Sequence, residues 1–247
     1  MFTPSFEDFC HYAKQGNLIP VYREHLADME TPVSTFSRFA DDEHVFLFES
    51  VEGGERWGRY SFIGINPRAV FSVADGVARL TYSDGREEVL PSDGRPFFAL
   101  REALAATKPV TVPGLPRFVA GAVGYLSYET VNEFERLPVP KTELGAPLSC
   151  MMLAEEMVIF DNVQHTATVV ACVRPDAFDS LRAAYDHACE RIEEIEERVK
   201  RPRPETVRNG GKPPKVELKS NVTREEFCQM VRKAKEYIVE GDIIQVV

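Results

Sequence analysis

No stretch of the 247-residue chain approaches the roughly 18 consecutive apolar residues that a membrane-spanning helix needs. The opening residues MFTPSFEDFC are acidic and hold no Lys or Arg, so they do not read as a secretory signal. Cysteine is sparse: Cys10, Cys150, Cys172, Cys189 and Cys228 are odd in number, scattered, and never spaced C-x-x-C. That spacing supports neither a zinc ribbon nor a thioredoxin-like site, and free thiols in a reducing cytoplasm are expected. The five histidines are isolated, with none three or four residues from another histidine or a cysteine in a metal-binding pattern. His25, beside Glu24 and Asp28, reads as a surface residue. The G-x-G-x-x-G, G-x-x-x-x-G-K-[ST], H-E-x-x-H and G-x-S-x-G motifs are missing, and there is no internal repeat. Positive charge is in deficit, 29 basic against 39 acidic residues, and the net −10 argues against nucleic acid or an anionic membrane as partner.

What is present is ordinary globular material. Apolar residues make up 44% of the chain and the mean hydropathy is −0.23. Disorder is therefore excluded by composition.

Residues 3–15 predict a helix, with Phe6, Phe9, Cys10 and Ala13 on one face and Gly16 as its stop. Leu18 to Arg23 reads as extended, since Pro20 forbids a helix. Thr31-Pro32 has the form of an N-cap followed by proline at the first helical position. Strands are expected over 45–50, 60–65, 69–73, 77–82 and 87–90, with tight turns at Asp75-Gly76 and Asp84-Gly85. Helical spacing resumes at 96–106. The small, glycine-rich run FVAGAVGYL (118–126) predicts a fully buried strand with close backbone neighbours. A short helix is expected near 128–134. Residues 151–160 and 165–173 predict a hairpin around Asp161-Asn162.

The segment 179–200 is amphipathic, with Leu181, Tyr185, Ala188, Ile192, Ile195 and Val199 on one stripe suited to covering a sheet. Residues 201–215 (RPRPETVRNGGKPPK) hold four prolines, two glycines, five basic residues and one acidic residue, the composition of a linker or mobile loop. Thr223 to Glu226 forms a capping-box pattern ahead of Phe227, Met230, Val231, Ala234 and Ile238, and Gly241 closes that helix. Ile243 to Val247 (IIQVV) predicts a strand. Helices mixed with mainly antiparallel hairpins indicate an α+β fold.

Two places carry possible chemistry. The first is Phe48-Glu49-Ser50, followed by a glycine turn and Arg59-Tyr60-Ser61. A strand ending in a carboxylate and a hydroxyl can hold an ammonium group. Pro20 and Tyr22 would add an apolar wall if their strand pairs alongside. The combination suits an amino-acid pocket, and it equally suits an ordinary strand end. The second is Gln245, a polar residue among β-branched neighbours. It either pairs inside a core or faces a cavity.

Three stretches extend over nearly the whole chain: FLFESVEGGERWGRYSFIG (46–64), FVAGAVGYLSYETVNEFERLP (118–138) and SNVTREEFCQMVRKAKEYIVEGDIIQVV (220–247). Together, and in this order, they resemble the chorismate-utilising enzymes, in particular component I of anthranilate synthases. The resemblance implies an N-terminal regulatory domain over 1–200, a linker over 201–219 and the start of a chorismate-binding domain over 220–247.

It also implies a reaction: chorismate and ammonia give anthranilate and pyruvate, with Mg2+ holding substrate carboxylates. A glutamine amidotransferase subunit would supply the ammonia, and L-tryptophan would inhibit by feedback. The resemblance places tryptophan-binding positions at Ser50, Glu49, Pro20 and Tyr22, with Phe48 departing from the family's leucine. It places the magnesium ligands and the chorismate-contacting residues beyond residue 247. The 247 residues are accordingly expected to be inactive alone.

Gln245 aligns with a strand position that carries a general-base lysine in water-using relatives. Ammonia needs no such activation, so Gln245 fits an aminating enzyme as an active-site-lining residue. The related aminodeoxychorismate synthase component I and a stand-alone tryptophan-binding module are the alternative readings.

Overall fold

The computed structural model describes residues 1–49, 58–92, 95–138, 145–202 and 216–246. The chain divides into two compact units, Met1–Pro204 and Glu205–Val247.

The first unit begins with α1 (Phe6–Tyr12), β1 (Ile19–Leu26), α2 (Pro32–Phe36) and β2 (Phe46–Phe48). Then come β3 (Tyr60–Ile65), β4 (Ala69–Ala74), β5 (Val77–Tyr82), β6 (Glu87–Leu90) and α3 (Pro96–Ala105). It continues through β7 (Gly121–Leu126), β8 (Ser149–Ala154), β9 (Glu156–Asp161), β10 (Thr166–Val173) and α4 (Leu181–Val199). Local chemistry sets several of these boundaries. Ser5, Thr31 and Ser180 each accept an N–H from the first turn of the helix they cap. Asp75 and Gly76 both take positive φ, 51° and 73°, which closes the two-residue turn between β4 and β5.

The strands form two five-stranded antiparallel sheets, ordered β1-β10-β9-β3-β2 and β6-β5-β4-β8-β7. The α+β class read from the sequence is the observed one. Helices α1 and α4 cover one face of the first sheet. There Ile192, Ala188 and Ile195 of α4 join Ile19, Val21, Ile63 and Val158 in a core. The other face carries a second core of Leu18, Phe46, Met157, Ile159, Val170 and Cys172, against which Tyr22, Tyr60, Phe62 and Phe118 pack. The segment after α3 is sewn onto this face: Tyr22 donates its hydroxyl to the Pro113 carbonyl at 3.0 Å, and Cys172 reaches the Val119 carbonyl at 3.5 Å.

In the first unit three sequence expectations are corrected. The strand expected over 151–160 is two strands, β8 and β9, broken at Glu155 and placed in different sheets. Apolar residues flank Glu155-Glu156 on both sides, so periodicity alone does not show that the two halves enter different sheets. The run 118–126 is not fully buried: β7 starts at Gly121, is the edge of the second sheet, and leaves Tyr125 43% exposed. Its glycine serves close approach instead, because a Cβ on Gly124 would lie 1.9 Å from the Cys150 carbonyl oxygen. Finally, β1 and β2 do not pair alongside one another. They are opposite edges of the first sheet.

The second unit contains α5 (Arg224–Glu240). Thr223 and Glu226 complete a reciprocal capping box, and Gly241 ends the helix at φ 85°. Phe227, Met230, Val231 and Ile238 are exposed on it. Residues 243–246 are not a strand, because no described segment supplies them with a hydrogen-bonding partner. Among the described residues, no helix is long and apolar enough to cross a membrane. All five cysteines are free.

Candidate functional site

A cleft of about 680 Å³ opens between the two sheets of the first unit. The first sheet contributes Leu47, Phe48, Tyr60 and Phe62 to its lining, with Glu49 just past the end of β2. From the other side come Ala122, Val123 and Gly124 of β7 and Met151 of β8, and Phe118 closes the wall.

The sequence dictates this arrangement through the pleat. Period-2 alternation turns Phe46 and Phe48 to one face of β2, and Tyr60 and Phe62 to the same face of β3. Aromatic contacts then tie the lining together. The Phe46 and Phe48 rings lie 5.0 Å apart, Tyr60 and Phe62 6.2 Å, and Phe62 meets Phe118 edge-on at 5.3 Å. Room for Phe46 comes from Gly64 opposite it in the β2–β3 ladder.

Behind the cleft, an ion pair fixes the entry to β3. Arg59 donates to Asp161 from Nε at 2.9 Å and from Nη2 at 2.6 Å. The Val163 and Gln164 backbone N–H groups donate to the second carboxylate oxygen, each at 3.0 Å. Burial pushes the Asp161 carboxyl upward, but the Arg59 hydrogen bonds and the two backbone donors outweigh it and hold the group below its ordinary range. The Arg59 guanidinium also lies 5.0 Å from the Tyr60 ring centroid, which steadies that ring. Ser61 faces away from the cleft, fully buried, and receives an Asn162 amide N–H at 3.2 Å.

The lining is chemically simple. One carboxylate, one phenol, several aromatic rings and a thioether surround a backbone floor made bare by Gly124. Flat rings bind a flat apolar ligand, and the carboxylate accepts hydrogen bonds from an ammonium group. This is equipment for holding a ligand.

The structure distributes the sequence-stated residues unevenly. Glu49 lines the cleft. Ser50 lies outside the described residues. Pro20 and Tyr22 share the cleft-side face of the first sheet, but β1 is four strand positions from β2, roughly 19 Å at the usual strand spacing. Pro20 is buried. Burial also raises the Tyr22 phenol above its ordinary pKa, with Thr3 opposing the shift. Gln245 is exposed in the second unit. Sequence reasoning missed Phe62, Phe118, Gly124 and Met151. The alternation of β3 could have given Phe62 as Tyr60's companion. The other three reach the cleft only through the second sheet.

The chain belongs to the family of chorismate binding enzymes, which matches residues 43–247. Within it the chain is similar to anthranilate synthase component 1 of Acetivibrio thermocellus, 36% identical over 253 residues, covering 100% of this chain and 50% of that protein. It is 37% identical over 253 residues to the Pseudomonas aeruginosa protein of the same name, covering 98% of this chain and 49% of the relative. The chain thus spans about half the length of these curated relatives. A crystal structure of anthranilate synthase component I from Streptococcus pneumoniae TIGR4 shares the fold, with a TM-score of 0.54 at 21% identity. That likeness covers 88% of this chain and 46% of the other.

Proposed function

We propose that this chain is the N-terminal half of an anthranilate synthase component I. In that reading the whole protein converts chorismate and ammonia to anthranilate and pyruvate in the cytoplasm, within tryptophan biosynthesis. A glutamine amidotransferase subunit delivers the ammonia, and L-tryptophan inhibits. The observation that carries the reading is the match of anthranilate synthase relatives across 98–100% of this chain.

The first unit is the regulatory part. Its cleft takes the tryptophan side chain between Tyr60, Phe62 and Phe118. The ligand's ammonium group meets Glu49 and the adjoining Ser50. Pro20 and Tyr22 support the same sheet face from its far edge. The second unit contributes Gln245 to the lining of the chorismate site.

Magnesium belongs to the activity of the whole protein, where it neutralises substrate carboxylates. Among the described residues, no three His, Cys, Asp or Glu side chains gather as a metal-holding group. The described residues do not fit the ion.

Isothermal titration of the complete gene product with L-tryptophan tests the regulatory assignment. Glu49→Gln and Ser50→Ala are each expected to weaken binding by about tenfold, the usual scale for losing a charge-assisted hydrogen bond. Unchanged affinity in both variants would remove the ligand from this cleft.

A further inference from the structure

The two sheets share one bent ribbon. β3 runs into β4 and β8 into β9, while β3 pairs with β9 and β4 with β8. The register shifts between the two halves. Ile65 faces Glu156 and Ala69 faces Leu153, so residues 66–68 on one strand oppose only Ala154 and Glu155 on the other. An extra residue of this kind bends a ribbon, and such a bend is how strands pass from one packed sheet to the next. Asn66 takes φ 43° at this point.

Glu155 sits in the bend. Its Oε1 accepts from Arg68 Nε at 3.1 Å, from Arg174 Nε at 3.0 Å and from Arg174 Nη2 at 2.7 Å. Arg68 lies on the opposing strand of the ribbon, and Arg174 immediately follows β10. The Arg174 guanidinium also reaches Thr107 Oγ1 at 3.1 Å, where the segment leading to Phe118 begins. Backbone contacts meet at the same place: Cys172 N–H donates to the Glu155 carbonyl at 2.7 Å, and Arg68 N–H to the Leu153 carbonyl at 3.0 Å. The Glu155 side chain is only 14% exposed, so water competes weakly for the carboxylate.

The same ribbon carries both walls of the cleft. Tyr60 and Phe62 project from its first-sheet half, and Met151 lies on its second-sheet half. The angle at the bend therefore sets the distance between the walls.

We propose that Glu155 is a positioning residue, which fixes the bend of the ribbon and so the width of the cleft, without touching the ligand. The proposal rests on the cleft's reading as an aromatic amino-acid site, and it adds a control point outside the lining. One carboxylate clamps both strands and the segment leading to Phe118. Its loss leaves two guanidinium groups facing each other, and the bend relaxes.

The test compares wild type, Glu155→Gln and Asp42→Asn in the complete gene product. Asp42 pairs with Arg198 on the helix-covered side, away from the cleft, so it controls for the loss of any half-buried ion pair. The first readout is the Kd for L-tryptophan. The second is amide hydrogen exchange in peptides spanning 65–70 and 153–157. Glu155→Gln is expected to weaken binding by about tenfold, within the range of long-range coupling, and to speed exchange at the bend. Asp42→Asn is expected to change neither.

Should Glu155→Gln fail to fold, Arg174→Lys keeps the charge but loses the forked grip, and the same two changes are expected. Wild-type affinity together with wild-type exchange at the bend overturns the proposal. Faster exchange with unchanged affinity also overturns it, because the bend would then not govern the cleft. If wild type itself binds no tryptophan, the ligand reading fails, and unchanged exchange alone then overturns the clamp.

Discussion

Gly64 faces the ring of Phe46 across the β2–β3 ladder so closely that a Cβ on it would fall 2.0 Å from Phe46 Cε1. Phe46 is buried, and its ring lies tilted against that of Phe48, which lines the cleft. Gly64→Ala must therefore turn the Phe46 ring and disturb Phe48 with it. A cost of about 1–3 kcal/mol is expected, as for other overpacked cores. Chemical denaturation of the complete gene product checks it, and Phe46→Leu in the same chain should recover part of the loss.

Gly124 makes a harder demand. Its hypothetical Cβ would meet backbone, the Cys150 carbonyl oxygen at 1.9 Å and the Met151 Cα at 2.8 Å, so no side chain can swing aside. Gly124→Ala is expected to part β7 from β8 and lower the melting temperature. Gly76→Ala has open space around its Cβ and bears only the strain of φ 73°, about 1 kcal/mol. The larger loss of melting temperature should belong to Gly124→Ala.

These two glycines show what the sequence discloses and what it withholds. The turn at Asp75-Gly76 and the strands flanking it were legible, because both residues are permissive for positive φ and the apolar alternation is local. The use of Gly124 was legible as a close backbone approach. Its exposure was not, since edge or centre is decided by strand order. The break at Glu155 was hidden for a related reason. MMLAEEMVIF is apolar on both sides, and only a register shift against residues 65–69 turns it into two strands. Glu49 was found because a carboxylate ends a strand. Phe118 and Met151 were not, because they belong to the cleft only through the pairing of distant segments.

Asp161 has a pH signature. Its carboxyl is held below the ordinary range chiefly against its burial, by Arg59 and the two backbone N–H groups. A group whose folded pKa is depressed stabilises fully above its unfolded value, about 3.9, and loses that contribution as pH falls through the folded value. Asp161→Asn should lower the melting temperature at pH 7, and the gap from wild type should close progressively below about pH 4. Melting curves across pH check this. A gap constant with pH would show that the loss is packing rather than charge.

Helix α4 is held by its apolar stripe. Ile192 is fully buried against the first sheet. Ile192→Ala should cost about 2–5 kcal/mol, the usual range for emptying a large aliphatic site in a core. Leu181, at the exposed start of the same stripe, should cost far less as Leu181→Ala. Denaturation of the two variants side by side measures the difference.

The proposed function makes this chain part of an anthranilate-forming enzyme and gives it the tryptophan-sensing site. The most direct measurement is anthranilate fluorescence from the complete gene product, supplied with chorismate, ammonium and magnesium, with and without L-tryptophan. Anthranilate formation that L-tryptophan suppresses is expected, with Glu49→Gln forming product at the wild-type rate but requiring about tenfold more tryptophan for the same suppression. Formation of aminodeoxychorismate in place of anthranilate, or anthranilate formation indifferent to tryptophan, would contradict it.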